Sequence, residues 1–142
     1  MNETVKLLKE CDSGCKTALD GMEQVMSHVS SPTMREELID CRRRHGELET
    51  RCRTLLDRAG EKEGDPPAFG TAMMKAGTEL KLAINDGDRH IAEMMVDGAS
   101  MGMKSIAKVM NVCTGASEQS RILAADLIRE ERHFHDSMLR FV

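Results

Sequence analysis

MREELIDCRRRHGELETRCRTLL, residues 34–56, places Met34, Leu38, Cys41, His45, Leu48, Cys52 and Leu55 in alternating steps of four and three. An α-helix turns once in about 3.6 residues, so such steps put all seven side chains on one stripe. The stripe is apolar except at His45, which is either a core filler with satisfied ring nitrogens or a ligand. No nucleotide-binding loop, nucleophile elbow or closed zinc motif occurs elsewhere in the chain, so the reading of His45 governs the chemistry of the whole protein.

The same periodicity extends outward in both directions. Before the stretch, Val5, Leu8, Asp12, Cys15, Leu19, Met22, Met26 and Val29 recur at helical spacing, predicting a helix from about Glu3 to His28 or Val29. Ser31 and Pro32 then form a cap and first-turn pair for the next helix, which Gly60 ends after Ala59. Beyond the polar GEKEGD loop, Phe69, Ala72, Met73, Ala76, Leu80, Ala83 and Ile84 predict a shorter helix over about 66–84. The third long helix, Asp88 to Val112, turns Ala92, Met95, Val96, Ala99, Met103, Ile106 and Met110 inward. Ile91, Met94, Met101 and Val112 give it a second, partly apolar face. Ser117 caps a last helix, to about Arg140, with Leu123, Leu127, Phe134, Met138 and Phe141 on its seam.

Composition agrees with a packed helical protein. The chain has 142 residues, of which 12 are Met, 3 are Phe and none is Tyr or Trp, with 31% charged and 40% hydrophobic residues. That length suits one domain, 1–142, and the lack of aromatic and β-branched enrichment disfavours sheets. A net charge of -4 and the missing stacking platforms argue against nucleic-acid binding. The short apolar runs predict no membrane segment and no signal peptide, hence a cytoplasmic protein. Five cysteines, none in a Cys-x-x-Cys spacing, are read as reduced thiols acting as small hydrophobes.

Four long helices of similar length, roughly 36 to 42 Å at about 1.5 Å per residue, call for side-by-side packing. The short turns predict two antiparallel hairpins, with the 66–84 helix in the crossover between them. If the first turn is centred near residue 30 or 31, Cys15 comes level with His45 and Asp12 with Glu49. Asp12 is then the expected hydrogen-bond partner of His45 in a dry interior. On the last helix Glu130 lies between Leu127 and Phe134, and Glu130 and His133 form a Glu-x-x-His unit one turn long.

On these residues the chain resembles the ferritin-like superfamily, in particular its uncharacterised bacterial four-helix-bundle families. In iron-binding members two helices each give a Glu and two each give Glu-x-x-His. The resemblance implies an all-α, ferritin-like bundle and metal ligands at Asp12, His45, Glu130 and His133. The match is partial: Arg42 stands where a Glu should precede His45, and the inward side of the third helix has no oxygen donor. A degenerate site follows, in a structural or interaction protein with no cofactor, associating as a homodimer through the second face of the third helix. The alternative is an oxidase-like or iron-handling protein holding iron or zinc at those four residues. A third reading is thiol-based, with Cys11, Cys15, Cys41 and Cys52 around His45 binding zinc or sensing oxidants. The charge run Arg42 to Arg44 is read as a solvated face.

Overall fold

A computed structural model of the protein describes residues 2–61, 81 and 83–142. Among these residues all regular structure is helical: α1 Glu3–Met26, α2 Pro32–Arg58, α3 Asp88–Val112 and α4 Glu118–Leu139. Ser31 and Ser117 cap their helices as expected, and Asn2 caps α1. The Asn2 side chain accepts from the Val5 amide at 2.8 Å, Ser31 from Met34 at 3.2 Å and Ser117 from Ser120 at 3.2 Å. α1 stops short of the predicted His28 because the His28 amide turns back to the Val25 carbonyl at 2.9 Å, tightening the final turn. Gly60 and Gly87 flank the long connection with φ of +74° and +95°, values that a side chain would strain. Residues 81 and 83–86 are helical and Ala83 is buried; the rest of the helix expected over 66–84 lies outside the described residues.

The protein is an all-α helical bundle. α1 packs on α2 and α3, and α4 on the same two helices; α1 and α4 also meet across the middle, whereas α2 and α3 do not. Hydrogen bonds between turns tie its ends. The Ser30 and Ser31 amides each donate to a carboxylate oxygen of Asp88 at 2.8 Å, holding the α1–α2 turn to the first residue of α3. At the other end the Gly115 amide donates to Glu3 at 2.6 Å and the Ser117 amide to Thr4 at 2.8 Å. α2 and α3 therefore start at the same end of the bundle. No helix among the described residues is long and apolar enough to cross a membrane.

The interior consists of two apolar clusters. One gathers Val5, Leu8, Cys11, Cys15, Cys52, Leu56, Ile106, Leu123 and Leu127. The other gathers Met22, Val25, Met34, Leu38, Cys41, Ile91, Ala92, Met95, Phe134 and Met138. Some slots shift by one residue from the predicted seams. Leu56 rather than Leu55 is fully buried, and Leu7 and Val25 are buried where Leu19 and Met26 are only half so. A period of about 3.6 leaves two adjacent candidates at many seam steps, and the facing helix chooses between them. The second face of α3 is likewise divided: Ile91 is in the core, while Met101 and Val112 are 66% and 67% exposed.

Candidate functional site

Between the clusters lies a polar waist. His45 follows Cys41 on α2 by one turn and is fully buried; Glu131, one turn after Leu127 on α4, is 3% exposed. His45 Nδ1 lies 2.8 Å from the Cys41 carbonyl oxygen, and since a carbonyl can only accept, Nδ1 carries a hydrogen. Nε2 lies 2.5 Å from Glu131 Oε1. The two groups thus share one proton, in an imidazolium–carboxylate pair or its neutral counterpart. Burial disfavours charge on His45, but the hydrogen bond and negative charge of Glu131, the Cys41 carbonyl and the charge of Glu130 outweigh it. The imidazole pKa is accordingly raised above its ordinary value. Phe134 closes the site edge-on, its ring centroid 5.8 Å from that of His45.

The other oxygen of Glu131 faces α3. A Cβ placed on Gly102 would lie 3.0 Å from Glu131 Oε2, so the absent side chain leaves room for the carboxylate. Gly98, one turn earlier, is exposed and has nothing within 4 Å of such a Cβ. The two glycines should respond oppositely to substitution. Gly98→Ala is expected to raise stability by about 0.5–1 kcal/mol through lower chain entropy and better helix propensity. Gly102→Val should lower it by about 1–3 kcal/mol, because a carboxylate anchored to His45 cannot withdraw. Urea unfolding midpoints measure both.

Of the four residues expected as ligands, the structure brings two together. Glu130 Oε1 is 4.0 Å from His45 Nδ1, and it accepts from Arg44 Nε at 2.8 Å. Asp12 is buried on α1, but its carboxylate lies 2.9 Å from Lys16 Nζ. The expected Asp12–His45 pair is therefore corrected: Glu131 and the Cys41 carbonyl occupy the ring nitrogens, and Asp12 pairs along its own helix. His133 is exposed on α4, 3.5 Å from the Ser137 hydroxyl. The thiols do not ring His45. Cys11, Cys15 and Cys52 belong to the apolar cluster that excludes Cys41, with the Cys52 thiol donating to the Leu8 carbonyl at 2.9 Å. Burial holds the Cys11 and Cys41 thiols up to about 12 and raises that of Cys15 as well, so these groups are protonated at neutral pH.

Sequence reasoning missed Glu131. Leu127 and Phe134 are seven apart, and the slot between them falls at 130 or 131. What distinguishes the two is the facing helix. Arg44, partly exposed, draws Glu130 to the rim; His45, inside, draws Glu131 to the centre. The adjacent Arg44–His45 and Glu130–Glu131 pairs were the available signal.

Comparison with known proteins identifies no matching family model and no matching curated protein. Among solved structures, the crystal structure of a DUF305 fragment from Deinococcus radiodurans is similar, with a TM-score of 0.78 and 17% sequence identity over 99% of this chain and 95% of that one. At that identity the likeness establishes a shared helical fold.

Proposed function

We propose that this protein is a ferritin-like bundle in which a proton-sharing His45–Glu131 pair takes the place of a two-metal centre, and that it serves as a structural or interaction protein. The observation that carries the reading is the saturation of His45. One ring nitrogen donates to its own helix and the other is held by Glu131, so the imidazole has no lone pair for an ion while that pair stands. A two-metal site needs carboxylate and imidazole donors from all four helices. α3 faces the waist with Ala99, Gly102 and Ile106, and Glu130 is taken up by Arg44. The donor set does not fit two ions. Support for the ferritin-like arrangement is the tying of the α1–α2 turn to the start of α3, which sets the starts of α2 and α3 at the same end of the bundle. Five buried free cysteines suit a cytoplasmic setting, and exposed Met101 and Val112 on α3 suit association as a homodimer.

The rival is an oxidase-like or iron-handling protein using Asp12, His45, Glu130 and His133, favoured by the 4.0 Å approach of Glu130 to His45. Anaerobic titration with ferrous iron followed by exposure to air decides between them. The expected result is no oxo-bridged ferric absorption and no iron surviving desalting. Two irons retained per chain, and lost in His45→Ala, would establish the rival. Light scattering tests the dimer, which a mass of 15.8 kDa would refute.

A further inference from the structure

Outside the waist, three side chains of different donor chemistry converge in the groove between α2 and α4. Glu37 and Cys41 are one turn apart on the same side of α2, and His133 reaches them from α4; one ligand atom from each lies within 4.8 Å of the others. From this convergence we infer that Glu37, Cys41 and His133 form a single-ion site for a divalent cation of zinc's class, with a fourth position open to solvent.

The donor set selects the ion. A thiolate sulfur excludes calcium and magnesium, which take oxygen ligands, whereas thiolate, imidazole and carboxylate together are the ligands of zinc. The spacing is compatible. Tetrahedral zinc with bonds of about 2.0–2.3 Å sets its ligand atoms roughly 3.3–3.8 Å apart, so each donor must move inward by about 1 Å or less. Glu37 is half-buried and His133 exposed, and rotation of these two side chains supplies the movement while buried Cys41 stays in place.

The neighbours suit the role. Ser137, 3.5 Å from His133 Nε2, can hold one ring nitrogen and leave Nδ1 for the ion. Arg44 Nη2 donates to Cys41 Sγ at 3.4 Å and can continue to donate to a metal-bound thiolate. Arg140, which pairs with Glu37 at 3.0 Å, is half exposed and can leave Glu37 while its Nε stays on the Ser137 carbonyl at 3.3 Å. A dication with one thiolate and one carboxylate leaves the site without net charge, the condition under which an ion beside an apolar cluster is tolerated. On binding, the Cys41 S–H bond breaks, a sulfur–metal bond forms and the proton passes to solvent; no electron is transferred. Because burial holds the empty thiol up to about 12, binding at neutral pH releases a full proton. The ion would clamp α2 to α4 one turn from His45. The site adjoins the waist and shares Cys41 with it, but it uses the thiol whereas His45 bonds the carbonyl, so its occupancy does not depend on the reading proposed for the His45–Glu131 pair.

The test uses the full chain, reduced and stripped with chelator, titrated calorimetrically with Zn2+ and spectroscopically with Co2+. One ion per chain is expected, with a thiolate-to-cobalt charge-transfer band and the absorption of tetrahedral cobalt. Cys41→Ser should abolish the charge-transfer band and weaken zinc at least 100-fold. His133→Ala, at an exposed position where folding is not at stake, should weaken it at least tenfold, and Cys113→Ser should change neither. Absence of the cobalt band in the wild type would overturn the proposal, as would zinc binding of equal strength in wild type, Cys41→Ser and His133→Ala.

Discussion

Glu131→Ala is expected to lower the unfolding free energy by about 3–5 kcal/mol, which for a domain of this size displaces the melting temperature by roughly 10–20 °C. The cost arises from what is left behind. His45 is fully buried and its Nε2 has Glu131 as partner, so truncation strands a polar nitrogen, or a charge, where water cannot reach it. Glu131→Gln retains a group that can hydrogen-bond the ring and should cost about 1–2 kcal/mol. The combined His45→Ala, Glu131→Ala variant should lose less than the sum of the single changes, since each single change already destroys the shared bond. Asp12→Ala should cost less than Glu131→Ala, because its partner Lys16 is 29% exposed and can turn its ammonium to solvent. Denaturant unfolding followed by circular dichroism gives the values for all five variants, the single His45→Ala included. A loss below about 1 kcal/mol for Glu131→Ala would mean that the carboxylate is hydrated rather than enclosed.

The second large effect is on pH dependence. His45 has a folded-state pKa above its unfolded value of about 6.5, because the hydrogen bond and charge of Glu131, the Cys41 carbonyl and Glu130 overcome the opposing effect of burial. A group protonated more readily when folded stabilises the native state fully below the unfolded pKa. That stabilisation disappears as pH rises through the folded value. Each pH unit between the two values corresponds to about 1.4 kcal/mol. With chelator present, wild-type stability relative to Glu131→Gln should therefore be greatest below about pH 6.5 and shrink as the solution is made alkaline. The groups at or next to the ring are Cys41 and, bonded to Glu130, Arg44 on α2, Glu130 and Glu131 on α4, and Cys15 on α1, which interacts with Glu131. Parallel stability curves for the two proteins between pH 6 and 9 would show that His45 does not carry this linkage.

Much of the bundle was legible because helix ends and seams are local. Ser31 and Ser117 cap their helices through side chains within three residues of the amides they bind, and Pro32 and Gly60 act through their own backbone torsions. The boundaries of α3 and the burial of Met34, Leu38, Cys41, His45, Leu48 and Cys52 followed from periodicity alone. The candidate site was less legible. Periodicity indicated His45 as interior, but it could not choose between Glu130 and Glu131 or between Asp12 and α4 as the source of its partner.

By itself, then, the sequence determined the helices, their lengths, their caps and the presence of an imidazole in an apolar seam, since those depend on spacing within one segment. Only the tertiary structure decided which carboxylate shares a proton with that imidazole and that Glu37, Cys41 and His133 meet in one groove. Both outcomes depend on the rotation of α4 about its own axis relative to α2. A one-residue step along a helix turns a side chain by about 100°, so packing between helices, absent from any single segment, selects the partner.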